Sequence, residues 1–412
     1  MAGACVKIDL PACGDANWPL VAWTEDGEVH SAQWRSERGA PPPARVVLAD
    51  DTLTADAAYR LANAGTALLW RGDFHNARQL LQALARRIDR PSQRQQRQQR
   101  RLGSPAPGPT AGDPAAFHRH RQAQAQRARV LSSVLIGLAP DFTIPLRRAP
   151  DWRDACSAAW GAPEADASSS VVSLRELQGV ASAHGWRSKG VLVPAIGERI
   201  HPHYGVYSPL RGEYVQLVDQ APLPDACRAA DGVTFDIGTG SGVLAALLVR
   251  RGVTRVVATD LEPRALACAA DNLQRLGLAD RVSLQAADLF PGGRAALIVC
   301  NPPWIPARPG APIERAVYDE GGRMLAGFVA GLAQHLLPGG EGWLVLSDLA
   351  EHLGLRTRSA LMAMFADAGL KVVGRLDTRP HHAKVGDTED ALHAARAAEV
   401  TSLWRLVVAA AI

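Results

Sequence analysis

The chain has 412 residues, a formal net charge of +4 and 47% hydrophobic residues, enough length and apolar content for two or three packed domains. No membrane-length apolar run appears, and the start, Met1-Ala-Gly-Ala-Cys-Val-Lys7, lacks the apolar segment of a secretory signal. The six cysteines, at 5, 13, 156, 227, 268 and 300, form no Cys-x-x-Cys pair, so scattered thiols in a reducing, cytoplasmic setting are expected rather than a disulfide framework.

In chain order, residues 1–43 read as an irregular segment ending in Pro41-Pro42-Pro43. A mainly helical domain is expected over 44–190. Thr54 can cap a helix reaching about Trp70, with Ala57, Leu61, Ala64 and Leu68 at helical spacing, and Asp73 can cap another to about Ala85. Arg90-Pro-Ser-Gln-Arg-Gln-Gln-Arg-Gln-Gln-Arg-Arg101 and the Pro/Gly/Ala stretch to Pro114 cannot build a core, so 90–114 reads as a disordered linker. Helix is expected again over 115–138 and in pieces over 150–185. Residues 86–129 hold eleven Arg and two Asp, a surplus of +9 in a chain that totals only +4. Such a run suits contact with phosphate backbones or, equally, a solvated basic face. With Phe117 its only Phe, Tyr or Trp, the segment would tether RNA or a ribosome rather than read bases.

After a connecting β-hairpin region at 191–230, the pattern changes to short apolar strands alternating with helices. Gly232-Val-Thr-Phe-Asp-Ile237 is a strand, and Val243 to Arg251 is a helix that Gly252 ends. Between them lies Gly238-Thr239-Gly240-Ser241-Gly242. A dinucleotide turn needs glycines at i, i+2 and i+5, but the last position here is Val243; a P-loop would need Gly-Lys-Ser/Thr. Asp236 would repel a pyrophosphate but suits an ammonium group. The strand Arg255–Thr259 ends in Asp260-Leu261, where a carboxylate can accept from both ribose hydroxyls. Pro263 starts the next helix. The strand 281–286 leads to Asp288-Leu289-Phe290, where the acid can bind an adenine amino group and Leu289 can cover the ring. A fourth strand, Ala295–Cys300, runs into Asn301-Pro302-Pro303-Trp304. Every candidate thus sits at the carboxyl end of a strand in an expected parallel sheet.

Asn301-Pro302-Pro303-Trp304 is a rigid turn suited to a planar nitrogen. The Asn301 side-chain carbonyl and the Pro302 carbonyl can both accept from one NH₂ group, with the prolines fixing the backbone. Trp304 can stack on the substrate, which is worth about 1–3 kcal/mol per nucleobase. Beyond it, residues 322–335 read as helix, and 342–347, 371–375 and 401–408 as strands five, six and seven. The insertion 377–400, with His381, His382 and Arg396, is expected either to help form a substrate mouth or to be a packing helix. The histidines at 201, 203, 381, 382 and 393 lack Cys or clustered carboxylate partners, so no metal site is expected.

These motifs, over about 195–412, resemble class I S-adenosylmethionine-dependent methyltransferases. Within them they resemble the "methyltransferase small" group, which includes release-factor glutamine N5-methyltransferases and ribosomal RNA guanine N2-methyltransferases. The Asn-Pro-Pro-aromatic turn is shared with DNA adenine N6-methyltransferases. The resemblance implies an α/β fold with a seven-stranded Rossmann-like sheet whose last strand is antiparallel, over 231–412. It implies S-adenosyl-L-methionine as cofactor, lined by Asp236, Gly238 to Gly242, Asp260, Leu261, Asp288, Leu289 and Asn301. Asn301, Pro302, Pro303 and Trp304 would hold the acceptor nitrogen. Tyr204 to Val215, with Pro209-Leu-Arg-Gly-Glu-Tyr214, partly matches the Pro-Arg-Pro-Glu-Thr-like stretch that lies over the cofactor in the glutamine enzymes, which usually carry Tyr where Trp304 stands. The function expected is N-methylation of a nucleobase amine or a protein glutamine in translation. The alternative is a non-catalytic RNA- or protein-binding factor that keeps the fold.

Overall fold

The computed structural model describes residues 18–101, 112–164, 167–209, 212–228, 232–380 and 390–409, with backbone alone at 91–101, 228 and 312. The chain divides into two compact units, one of residues 1–88 and 128–184 and one of 89–127 and 185–412.

The first unit contains β1 (Leu20–Glu25), β2 (Glu28–Arg35), β3 (Val46–Ala49), α1 (Ala55–Asn63) and β4 (Ala67–Trp70). A helical hairpin, α2 (Phe74–Arg101) and α3 (Pro114–Leu131), leaves it and returns, and β5 (Val134–Leu138), α4 (Arg153–Trp160), β6 (Ser170–Ser173) and α5 (Leu174–Lys189) follow. Six strands form one mixed sheet in the order β1-β2-β6-β5-β4-β3, so this unit is α/β and not mainly helical. Two physical causes separate the expectation from the outcome. Gly65 at φ 80° ends α1 early, and the four residues after Thr66, Ala67-Leu-Leu-Trp70, are buried on both faces, so they carry no alternation to mark a strand. In the segment expected to be irregular, Asp26 and Gly27 both take positive φ (52° and 84°), as a two-residue hairpin turn between β1 and β2 requires. The expected linker also differs, since α2 continues through Arg101; Arg and Gln are good helix formers even without apolar neighbours. Arg127 grips Asp89 with two hydrogen bonds of 3.0 and 3.1 Å, joining α3 to α2. Residues 102–111 of that linker lie outside the described residues.

The second unit opens with the hairpin β7 (Val191–Val193)/β8 (Glu198–Ile200) and α6 (Glu213–Gln220). Then come β9 (Val233–Ile237), α7 (Val243–Arg250), β10 (Arg255–Asp260), α8 (Pro263–Arg275), β11 (Val282–Ala286) and β12 (Ala295–Cys300). The remainder is α9 (Arg323–His335), β13 (Leu336–Ser347), α10 (Leu349–His352), α11 (Arg358–Asp367), β14 (Leu370–Thr378), α12 (His393–Ala398) and β15 (Thr401–Val408). The sheet order is β11-β10-β9-β12-β13-β15-β14, a Rossmann-like sheet in which only β15 runs antiparallel to its neighbours. The chain order reverses between β9 and β12, which creates the crevice where α/β sheets take ligands. In the parallel pair β9/β12, Val299 lies opposite Asp236 and Cys300 opposite Ile237, so Gly238 and Asn301 leave the sheet side by side.

Between β13 and α9 the packing leaves no room for an added methyl group. A Cβ placed on Gly342 of β13 would collide with the Leu332 side chain of α9, which is fully buried. Gly342→Ala is expected to cost about 1–3 kcal/mol by overpacking, read as a lowered urea midpoint with an unchanged slope.

Candidate active site

The turn after β9 is built from backbone hydrogen bonds to β10. The amides of Gly238 and Thr239 both donate to the Thr259 carbonyl, at 2.9 and 2.8 Å. Two glycines of this turn hold positive φ, 72° at Gly238 and 79° at Gly242, where a residue with a Cβ is strained. A Cβ at Gly238 would sit 2.6 Å from Cε of Met324, and one at Gly242 would sit 3.2 Å from Ala269 of α8. A Cβ added at Gly240 would meet nothing within 4 Å among the described residues, as a turn that admits a ligand needs.

Asp236 is 1% exposed, and its Oδ2 accepts from the Thr239 hydroxyl at 2.7 Å and the Ala245 amide at 3.1 Å. Its Oδ1 is buried with no hydrogen-bond partner among the described residues. Burial raises the pKa to about 6 against those two hydrogen bonds, and the neighbouring Asp260 adds to the rise. A buried carboxylate oxygen without a donor, beside an open turn, fits the ammonium of a bound amino-acid moiety. Asp260 bridges the turn and the next helix: Oδ2 accepts from Gly240 N–H at 3.0 Å and Oδ1 from Glu262 N–H at 2.9 Å. Burial raises its pKa as well, opposed by these amides. Each carboxylate oxygen retains a lone pair for a ribose hydroxyl.

The remaining predicted residues fall around the same edge. Leu261 is 58% exposed beside Asp260, and Ser241 passes its carbonyl to Asn272. Asp288 pairs with Arg323 at 2.9 Å on the surface. Leu289 takes φ 76°, strained for a residue with a Cβ. The Thr259 hydroxyl donates to the Leu289 carbonyl at 2.6 Å, and a Cβ on Gly327 of α9 would lie 2.6 Å from Leu289 Cδ1. Beyond β12, the Trp304 indole N–H donates to Asn301 Oδ1 at 2.9 Å. Pro302 is buried, and Pro303 and Trp304 are half-buried. The ring expected to stack on substrate therefore also fixes which way the Asn301 amide points. The Tyr204–Val215 stretch leads into α6; residues 210 and 211 lie outside the described residues. Burial pushes the Tyr214 hydroxyl up, with Tyr207 and Asp236 adding to it. His381 and His382 also lie outside the described residues, and Arg396 is paired with Asp390 at 2.7 Å.

One site residue escaped the sequence reading. Asn272, 1% exposed on α8, donates to the Ser241 carbonyl at 3.1 Å and accepts from the His201 amide at 2.7 Å. It ties the glycine turn to the segment before α6. Its signal was a polar residue on the helix face shared with Ala265, Cys268 and Ala269, all buried.

Strand order, glycine turn and strand-end acids give the second unit the arrangement of class I S-adenosylmethionine-dependent methyltransferases. Residues 220–309 match the family model for ribosomal protein L11 methyltransferase. The chain is 36% identical over 156 residues to the release factor glutamine methyltransferase of Cereibacter sphaeroides, covering 34% of this chain and 54% of that one. With the ribosomal protein L11 methyltransferase of Pelotomaculum thermopropionicum it shares 46% identity over 72 residues, 17% of this chain and 23% of that one. The solved ribosomal protein L11 methylase from Lactobacillus delbrueckii subsp. bulgaricus superposes with a TM-score of 0.36 at 17% identity, over 52% of this chain and 86% of that chain. The chain spans about half or less of the length of these two curated relatives.

The raised pKa of Asp236 gives a pH signature. The ammonium prefers the ionised carboxylate, so affinity falls as pH drops through about 6. Calorimetry should show the dissociation constant for S-adenosylmethionine rising about tenfold from pH 7 to pH 5. Asp236→Asn should bind weakly and lose that dependence.

Proposed function

We propose that this chain transfers the methyl group of S-adenosylmethionine to a planar side-chain nitrogen of a translation protein, a glutamine amide. The observation that carries the reading is the adjacency of Gly238 and Asn301 at the β9/β12 parting, with an Asn-Pro-Pro-Trp turn on the acceptor side. The release factor glutamine methyltransferase of Cereibacter sphaeroides aligns over 156 residues, and that of Bordetella pertussis, 39% identical, over 163. When bound, the cofactor supplies an electrophilic methyl on a sulfonium.

The chain's own residues bind, orient and shield. An amide nitrogen is a poor nucleophile because its lone pair is delocalised. Asn301 Oδ1, held by the Trp304 indole, keeps one lone pair for a substrate N–H, and the Pro302 carbonyl takes the other. Two fixed acceptors on one NH₂ aim its lone pair at the methyl, and positioning supplies most of the acceleration. The buried flanks of the turn limit water. No strong base is needed, since the methylated nitrogen releases its proton afterwards.

A nucleobase amine is the second reading, and the basic run 86–129 favours it. Several of those arginines have other partners, however: Arg87 pairs with Asp56, Arg119 with Asp113, Arg121 with Glu314 and Arg127 with Asp89. A cofactor-binding factor without turnover would leave the tethered Asn301 amide without a role.

Tritiated-methyl transfer should label a purified release factor in a ribonuclease-resistant, protease-sensitive form; label removed by ribonuclease alone would refute the glutamine reading. Asn301→Ala should lower transfer about 100-fold or more while cofactor affinity stays within about threefold. Trp304→Phe, which keeps the ring and drops the N–H, should lower it about tenfold.

A further inference from the structure

Residues 305–319, between the acceptor turn and α9, form a closed strap. Ile305 and Tyr318 are bridged, with the Ile305 amide donating to Val317 at 3.2 Å and the Asp319 amide donating to Ile305 at 2.9 Å. The strap therefore starts at the residue after Trp304 and closes back onto that same residue. At its far end, Asp319 Oδ2 accepts from the Met324 amide at 2.9 Å, and Met324 is the side chain lying against Gly238. One flank is tied to the cofactor side through the ion pair of Arg315 with Glu262, two residues beyond Asp260.

The other flank is held by α3. Arg121 lies 4.0 Å from the Tyr318 ring centroid, donates to the Arg308 carbonyl at 2.8 Å and contacts Glu314 Oε2 at 3.3 Å. The same Glu314 oxygen accepts from the Gly310 amide at 2.8 Å. One turn earlier on the same helix face, Phe117 is 1% exposed in a cluster with Ile305, Leu349, Leu353, Leu392 and Ala395. The half-buried Trp304 packs against that cluster too. A single guanidinium thus stacks on one strap residue, bonds the backbone of a second and pairs with a third. Only a planar, forked cation does all three.

We infer that α3 is the outer wall of the acceptor site and that Arg121 is a positioning residue, holding the strap so that Asn301 and Trp304 present the acceptor correctly. This rests on the proposed function for what the site does, not for how the strap is held. It also assigns part of the basic run to the inside of the enzyme.

The test compares Arg121→Ala, Arg121→Lys and the control Arg119→Ala in the full chain, with release factor and ribosomal protein L11 as acceptor probes. In Arg121→Ala, hydrogen exchange over 305–318 should accelerate about tenfold, while exchange over 236–242 and cofactor affinity stay within about twofold. The acceptor KM should rise about tenfold with a severalfold fall in kcat, because a mispositioned wall weakens both binding and alignment. A merely destabilised enzyme would lose kcat at constant KM. Arg121→Lys should recover less than half of the loss, and Arg119→Ala should match the wild type. Unchanged exchange over 305–318, an unchanged KM, or an equal effect from Arg119→Ala would each overturn the inference. Should the wild type methylate neither probe, the glutamine reading falls while the exchange result still decides the strap.

Discussion

The parallel pairing of β9 with β12 is the constraint on which the site depends. Chain order reverses at that pair, so no helix crosses directly above the gap, and the two strand ends open into a crevice. Register then does the rest. With Val299 opposite Asp236, a carboxylate suited to an amino-acid ammonium and an amide suited to an acceptor nitrogen emerge on one edge. A slip of one residue would turn Asp236 to the opposite sheet face. The fully buried run Ala295–Cys300 makes such a slip costly.

The site places two acids with raised pKa values next to each other, and folding bears the cost. Asp236 and Asp260 are both desolvated, and each offsets part of that with hydrogen bonds from the same turn: Thr239 and Ala245 for one, Gly240 and Glu262 for the other. The arrangement leaves Asp236 Oδ1 without a donor among the described residues. A cation arriving there relieves a penalty already present in the fold, so part of its binding energy comes from the protein's own strain. Leu289 at φ 76° is a second local cost on the same edge.

Legibility in the sequence followed how much each element depends on local chemistry. Turn glycines, strand-end acids and the Asn-Pro-Pro-Trp turn declare themselves because their residue types are needed for backbone geometry and polar contact. The second unit's strands were readable because each is bounded by such a signal. The first unit's sheet was not, since Ala67–Trp70 and Ser170–Ser173 are buried on both faces and lack alternation. Asp26-Gly27 was a hairpin signal that the irregular reading passed over. Asn272 and the strap contacts depend on residues distant in sequence; the Arg121–Tyr318 stacking joins positions that no spacing rule connects.

In the proposed reaction Trp304 serves two demands. An indole that stacks on a substrate needs an open face, whereas an indole that orients an amide needs a fixed edge. The structure supplies the fixed edge through the 2.9 Å bond to Asn301 and leaves the ring half-buried against the Phe117 cluster. A ring without that N–H would leave the Asn301 amide oxygen without this bond. Keeping tryptophan therefore couples the acceptor amide to the packing beneath it. The strap and α3 form that packing, so the geometry of Asn301 is set by residues far from it in the chain.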